Sequence, residues 1–200
     1  PYVFGLVDWL NLNNEANPPT WYQTVALLLA ALASAAVAAC EKARPGRYWA
    51  HWAGIAVILV YMSADEGGKI HEATIPIIYR LTHITSGAFE GQWEFYGLAL
   101  ILLVGAVYFR FYFFHLSARE RLITLAAAVV YLGGAVGMEM LLAGIIFAHG
   151  FIPHHRPTAI DAVMTHIEEV MEMLGVVIFM TVPLRRLERS AGLRIEFRRS

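Results

Sequence analysis

The residues that could do chemistry in this sequence are acidic side chains and histidines standing inside strongly apolar stretches. Glu168 and Glu172 are four positions apart, which places them on one face of a helix. His166, Glu169 and Glu172 form a second, overlapping stripe. A carboxylate within a membrane span costs roughly 2.5–3.5 kcal/mol on insertion scales, so each one is by default a hypothesis about function.

Further acidic residues occur at the ends or within other apolar stretches. Glu139 lies in the fourth stretch, and the acidic positions around the second and third are Asp65, Glu66, Glu72, Glu90 and Glu94, with His71 beside Glu72. Lys69 could pair with both Asp65 and Glu72, at i+4 and i−3. Helices must bring these side chains together, and the sequence predicts that they meet at one depth.

So many carboxylates cannot all stay ionised in a low dielectric with so few basic residues nearby. Three outcomes stay open: a metal site, proton handling or entry of a cationic or polar substrate, and a network of protonated acids that fixes helix register. A divalent or di-iron type metal would use carboxylates and imidazoles from several helices, but the Glu-x-x-His pairs of di-iron proteins are missing. The candidate metal ligands are Glu66, His71, Glu72, Glu139, His166, Glu168, Glu169 and Glu172.

Five apolar stretches are long enough to hold these residues in a membrane. Hydrophobic residues make up 58% of the 200-residue chain and charged residues 16%, below the roughly 25% charged residues of soluble domains. About 20 apolar residues in a helix cross the hydrocarbon core. The sequence predicts an all-α, polytopic membrane bundle, one domain over residues 1–184, with transmembrane helices at about 21–40, 48–66, 93–114, 122–148 and 158–184.

Basic residues predict the direction of these spans. The first and third connections and the C-terminal segment hold 12 of the 15 lysines and arginines: Lys42, Arg44, Arg47, Arg110, Arg119, Arg121, Arg185, Arg186, Arg189, Arg194, Arg198 and Arg199. The positive-inside rule places them in the cytoplasm and the N-terminus outside. Residues 185–200 are then a basic cytoplasmic tail at anionic headgroups, and the acidic residues lie in the outer half of the membrane.

Local patterns predict three structural details. Thr20 is expected to cap the first helix. Residues 67–92 are expected to form a helical extension or an interfacial helix, broken near Pro76 and at Ser86 and Gly87. A stripe of small residues in the fourth span would let another helix approach closely: Gly133, Gly137 and Gly144, with Gly134 beside them. That approach could bring Glu139 against a neighbouring acid.

Other cofactors and partners find little support in the sequence. His51 and His115 both lie toward the cytoplasmic side and could pair, whereas the remaining histidines lie toward the outer side. A bis-histidine haem is nevertheless disfavoured. The single Cys40 provides neither a disulfide framework nor a cysteine metal motif. Nothing resembles a nucleotide-binding loop, a Ser-His-Asp arrangement or a nucleic-acid module, so the expected partners are the lipid bilayer and other membrane subunits.

Four segments together resemble a group of bacterial multipass inner-membrane proteins that has no established activity. They are residues 15–22 (EANPPTWY), 62–72 (MSADEGGKIHE), 133–140 (GGAVGMEM) and 167–175 (IEEVMEMLG). The resemblance spans nearly the whole chain. It implies a bacterial inner membrane and carries over no catalytic role, so it leaves open whether the protein is an enzyme.

Two functions therefore compete. In the first, the outer-half Glu, Asp and His cluster binds a metal ion or handles protons. In the second, the protein is a non-catalytic accessory subunit of a larger respiratory or photosynthetic membrane complex, which would suit a small chain with short loops. A transporter is less attractive because the five spans show no inverted repeat.

Overall fold

The computed structural model describes residues 9–10, 12, 17–43, 48–83, 93–148 and 159–191. Seven α-helices cover most of these residues: α1 (Pro18–Lys42), α2 (Trp49–Gly68), α3 (Ile70–Thr82), α4 (Trp93–Phe114), α5 (Ala118–Leu132), α6 (Glu139–Ala148) and α7 (Ala159–Ala191). A π-helical turn, Gly133–Met138, joins α5 to α6 without a loop. No β-strand occurs in these parts of the chain, which confirms the all-α fold class.

Side-chain caps fix where two of the helices begin. Asn17 caps α1, because its Oδ1 accepts hydrogen bonds from the backbone N and the Oγ1 of Thr20 at 3.1 and 3.0 Å. The expectation that Thr20 itself is the cap was wrong, since Pro18 and Pro19 occupy the first helical positions and have no N–H to satisfy. Ser117 and Glu120 form a reciprocal capping box at the start of α5.

The segment after α2 is helical, as its apolar pattern predicted. Lys69 adopts a left-handed conformation with φ of 52° and ends α2. The chain turns there directly into α3, and His83, with φ of 55°, follows α3. The expected break near Pro76 was wrong, because Pro76 lies inside α3, and the expected break at Ser86 and Gly87 lies outside the described residues. A proline removes one hydrogen bond and can kink a helix without ending it, provided that the flanking turns stay paired.

The core consists of two hydrophobic clusters that follow each other along α1. The first joins α1, α2 and α7 through Leu27, Leu59 and Val176. The second joins the C-terminal half of α1 to α2, α4 and α7. Small residues make this packing close, since five alanines of α1 are buried: Ala26, Ala30, Ala31, Ala33 and Ala38. The alanines of α1 therefore serve close packing.

The order of contacts fixes the helix directions. Leu27 and Val37 of α1 belong to the same clusters as Val176 and Val182 of α7, in the same order, so these two helices run parallel. Leu59 of α2 joins the first cluster and Trp52 the second, so α2 runs antiparallel to them. One end of the bundle therefore collects the starts of α1 and α7 with the end of α2.

Within the described residues, three helical stretches are long and apolar enough to cross a membrane: Pro18–Lys42, Gly97–Phe114 and Ala118–Ile145. They coincide with the first, third and fourth predicted spans. The helices at the second and fifth predicted spans, α2 and α7, carry acidic residues that lower their hydropathy, and α7 continues through Ala191 into the predicted tail.

Candidate functional site

Five glutamates from three helices form the group that we call the acid cluster: Glu66, Glu139, Glu168, Glu169 and Glu172. Glu66 on α2 interacts electrostatically with Glu169 and Glu172 on α7. Glu139 on α6 interacts in the same way with Glu168 on α7. All five residues are partly buried. The structure thus brings together glutamates from α2, α6 and α7, as the sequence predicted, with α7 in the middle.

Tyr131 adds a polar group to the acid cluster that the sequence did not single out. Its hydroxyl is hydrogen-bonded to the carboxyl group of Glu172. The rest of the residue packs against the first hydrophobic cluster, which contains Leu27 and Val176. A tyrosine in an apolar helix is most often a packing residue, and only the pairing of α5 with α7 gives its hydroxyl a carboxyl partner.

Close approach of two helix backbones positions Tyr131 and Glu172. A methyl group on Gly175 of α7 would lie 2.6 Å from Cβ and 2.8 Å from the backbone N of Tyr131. A methyl group on Gly134 would lie 2.8 Å from the backbone oxygen of Glu168 and 3.3 Å from Cγ of Glu172. Both glycines are therefore required for this contact.

The predicted glycine stripe is confirmed in part. A methyl group on Gly133 would lie 3.0 Å from Cε of Met171 on α7, so Gly133 joins Gly134 at the interface. A methyl group on Gly137 would have as its nearest neighbour the backbone oxygen of Leu132, in the same continuous helical segment, at 3.9 Å. A methyl group on Gly144 would have no atom within 4 Å. Only the first turn of the stripe meets another helix.

The π-helical turn explains why the stripe does not continue. Each π turn inserts an extra residue relative to an α-helix, so the face that residues present shifts beyond it. Gly133 and Gly134 stand at its start, and Glu139 follows its last residue, Met138. The turn therefore helps to set the direction in which Glu139 points, and a strict α-helical reading of the sequence could not include it.

The two candidate histidines have separate surroundings. His71 donates its backbone N–H to Oδ1 of Asp65 at 2.7 Å, and its Nδ1 lies 2.9 Å from Oδ2. Asp65 thus accepts a hydrogen bond from the first turn of α3, where backbone N–H groups have no partner within the helix. His166 donates from Nδ1 to the backbone oxygen of Ala162 at 2.6 Å and interacts electrostatically with Glu169. His166 therefore borders the acid cluster, whereas His71 is held by Asp65.

Several predicted acidic positions lie outside the described parts of the chain. The side chains of Glu72 and Glu94 are not among the described ones, and Glu90 lies in the gap before α4. Among the described residues, no group of three or more His, Cys, Asp or Glu side chains is arranged so that it could hold a metal ion. The metal site therefore stays a prediction for the eight proposed ligands.

A second polar group, at the opposite end of the bundle, was missed by sequence reasoning. We call Glu41, His115, Glu120 and Arg186 the arginine cluster. Arg186 donates from Nε and Nη2 to the two carboxylate oxygens of Glu120 at 2.9 and 3.0 Å, and from Nη1 to Oε1 of Glu41 at 2.8 Å. Nε2 of His115 lies 2.9 Å from the same Glu41 oxygen.

This arrangement differs from the predicted role of Arg186 as one of several headgroup anchors. Its side chain is only 15% exposed, and its guanidinium group lies over the Trp52 ring at 5.3 Å. The sequence shows only a run of basic residues after the fifth predicted span. The run cannot reveal which arginine points inward.

In the part of the chain that the structure describes, the fold and these two clusters define a helical bundle in which three helical stretches are apolar enough to cross a membrane. The model of a family described as Domain of unknown function (DUF8692) matches residues 1–187, so the chain belongs to that family. No curated protein and no solved structure matches the chain.

Proposed function

We propose that this protein is a five-span membrane protein whose acid cluster, in the outer half of the bilayer, holds and exchanges protons. The observation that carries the proposal is the meeting of Glu66 with Glu169 and Glu172 from a second helix. Carboxylates that interact with one another in a low dielectric cannot all be ionised. The group must therefore hold at least one proton or another cation.

Protons fit the described geometry better than a metal ion does. Among the described residues, no salt bridge joins Glu66, Glu169 or Glu172 to a lysine or arginine. The hydrogen bond between Tyr131 and Glu172 supplies a neighbouring hydroxyl of the kind found along proton paths. His166, whose Nδ1 is held by a backbone oxygen, keeps Nε2 for a proton.

The proposed topology places α1, α2, α4, the α5–α6 rod and α7 across the membrane. Acidic residues in α2 and α7 face other helices, and polar residues in membrane proteins generally do so. The excess of basic residues in the first and third connections and in the C-terminal segment supports an outer N-terminus and a cytoplasmic C-terminus. The resemblance of residues 15–22, 62–72, 133–140 and 167–175 to bacterial proteins supports the inner membrane of a bacterium as the location.

Infrared difference spectroscopy of the purified protein tests the proton proposal. On a change between acidic and neutral pH, the wild type should show a carboxylic acid carbonyl band that shifts when D₂O replaces water. Glu172→Gln should remove or displace that band. Glu188→Gln, which changes an exposed carboxylate near the end of α7, is the matched control and should leave it unchanged.

Metal analysis of the same samples separates protons from a metal. A stoichiometric metal ion that is present in the wild type and lost in Glu139→Gln and Glu172→Gln would replace the proton proposal with the metal site. An unchanged infrared band in Glu172→Gln would contradict proton holding at this residue. Fusion of a reporter that is active only in the cytoplasm to the C-terminus tests the topology, and an inactive fusion would contradict it.

The accessory-subunit function has one observation in its favour. Only 11% of the apolar stretch Gly97–Phe114 in α4 is buried. Exposed side chains such as Leu102, Val107 and Phe114 leave a broad apolar surface. Lipid can cover this surface as well as a partner can. Purification from native membranes in mild detergent distinguishes the two, since migration as a lone 22.3 kDa chain would contradict a stable complex.

A further inference from the structure

Gln23 is a buried amide without a hydrogen-bond partner. Its side chain is 0% exposed, and neither Oε1 nor Nε2 has a partner among the described residues. Nearly all buried side-chain polar atoms in proteins have a partner, whether protein or ordered water, and an exception asks for an explanation. In a bundle embedded in lipid, an unpaired buried amide costs still more free energy, because water does not surround the helix.

Gln23 lies at the level of the acid cluster. The hydroxyl of Ser63 on α2 donates to the backbone oxygen of the adjacent Thr24 at 2.8 Å. A methyl group on Gly67 would meet Oγ1 of Thr24 at 3.6 Å. Residues 23 and 24 of α1 are therefore level with residues 63–67 of α2, which include Glu66.

Gln23 also lies on the buried face of α1 that packs against α7. Gln23, Leu27, Ala30 and Ser34 follow the spacing of one helix face, and all four are 0% exposed. Leu27 packs in the same cluster as Val176 of α7. One turn toward the outer end, about 6 Å along each of these parallel helices, the corresponding residues are Gln23 and Glu172. The unpartnered amide is thus directed into the layer that holds Glu172.

A cavity at the outer end of the bundle adjoins this layer at Glu66. It has a volume of about 740 Å³ and lies between the start of α1 and the end of α2. Its lining includes Trp21, Glu66 and the exposed residue Lys69. Lys69 also interacts with other residues of the protein. Glu66 therefore contacts the cavity and also interacts electrostatically with Glu172 inside the bundle.

We propose that Gln23, Glu66 and Glu172, with Tyr131 beside them, bind a small primary ammonium ion that enters through this cavity. Such an ion carries three N–H donors and one positive charge. Two carboxyl groups and the amide oxygen of Gln23 offer matching acceptors, and the charge compensates the repulsion between the glutamates. The indole of Trp21 can attract the same cation at the entrance.

Two other ligand classes fit less well. An anion would add to the negative charge of the acid cluster. A divalent metal ion generally needs several protein ligands in a fixed geometry, and the described residues contain no such group of three His, Cys, Asp or Glu side chains. This inference rests on the proposed function, since the ammonium ion would use the same carboxyl groups that hold protons.

Calorimetric titration of the full chain in detergent micelles tests the proposal. Methylammonium should bind the wild type, whereas tetramethylammonium, which lacks N–H donors, and potassium should bind at least tenfold more weakly. Gln23→Leu should weaken methylammonium binding at least tenfold. Ser34→Ala is the matched control, because Ser34 is buried on the same face but already donates to the backbone oxygen of Ala30 at 2.8 Å. Its affinity should be unchanged.

A second readout separates a ligand contact from a structural role. Replacing an unpartnered buried amide by an apolar side chain should leave the melting temperature unchanged or raise it. If Gln23→Leu does not fold, Gln23→Met, which keeps an unbranched chain of similar length, replaces it in the titration. Weakened binding in a variant that melts at or above the wild-type temperature supports the proposal.

Three results would overturn it: no methylammonium binding to the wild type, equal binding of tetramethylammonium, or unchanged affinity in the folded Gln23 variant. These results are distinguishable from failure of the proposed function. A wild type that keeps its Glu172-dependent infrared band and binds no methylammonium contradicts only the ammonium site.

Discussion

The arginine cluster and the acid cluster lie at opposite ends of the same bundle. The buried carboxylates of the arginine cluster are paired with a cation, whereas those of the acid cluster lie near other carboxyl groups. Glu172 and Arg186 are both on α7, about 21 Å apart along the helix axis. At the Arg186 end, each carboxylate accepts hydrogen bonds from one guanidinium group. At the Glu172 end, carboxyl groups from α2 and α7 interact electrostatically with one another.

This difference indicates a division of roles along the bundle. A bidentate arginine–carboxylate pair that is completed by further hydrogen bonds holds the ends of α1, α4, α5 and α7 in one geometry. Like charges brought together by glycine contacts cost stability, and natural proteins retain such arrangements mainly at functional sites. The same type of substitution should therefore have opposite effects at the two ends.

Removing the central cation should have the largest effect on stability. Arg186→Met leaves Glu120, whose side chain is 6% exposed, and Glu41 without their shared partner. Breaking a buried ion pair from one side generally costs about 3–5 kcal/mol. Unfolding of the purified protein by SDS in mixed micelles measures this loss. Arg189→Met is the control, because Arg189 is 64% exposed and 3.9 Å from Glu120, and should cost less than about 1 kcal/mol.

Neutralising one glutamate at each end tests the comparison directly. Glu120→Gln should lower the free energy of unfolding by about 1.5–3 kcal/mol, because hydrogen bonds to a charged partner weaken. Glu172→Gln should leave that free energy unchanged or raise it, because it relieves repulsion. The same unfolding titration measures both. A large loss in Glu172→Gln would mean that the acid cluster is a stabilising network.

The glycine contacts that form the acid cluster should tolerate no side chain. Gly175→Ala places a methyl group 2.6 Å from Cβ of Tyr131, so the α5–α7 contact must open, at a cost of about 1–3 kcal/mol. Gly144→Ala is the matched control, since nothing lies within 4 Å of the added methyl group. Equal unfolding curves for both variants would show that the close approach is not needed.

Removing single tyrosine hydroxyls should have the smallest effects on stability. Tyr131→Phe and Tyr112→Phe each lose one hydrogen bond, to Glu172 and to the backbone oxygen of Arg121 respectively, and each should cost about 0.5–1.5 kcal/mol. Only Tyr131→Phe should also shift the carboxylic acid band in the infrared spectrum. A shift of that band in Tyr112→Phe as well would contradict the conclusion that the two ends of the bundle have separate roles.

Sequence reasoning succeeded where residues close in the chain carried the pattern. Glu168 and Glu172 share a helix face, and their meeting with acids of two other helices followed from depth along the predicted helices. Reasoning failed for Arg186, because its partner Glu41 is 145 positions away and basic runs near membranes are commonly headgroup anchors. It also failed at Gln23, since one amide in an apolar helix predicts nothing about what lies opposite.

The sequence by itself determined the helical fold, the strongly apolar stretches and the concentration of acidic residues at one end, because hydropathy and helical periodicity are local properties. The tertiary structure decided which of those residues meet. Gly175 lets α7 approach α5, and Gly134 lets α7 approach the π-helical turn, which helps to set the direction of Glu139. The pairing of α1 with α2 sets Gln23 level with Glu66. Such contacts depend on helix rotation and depth, which no single segment encodes.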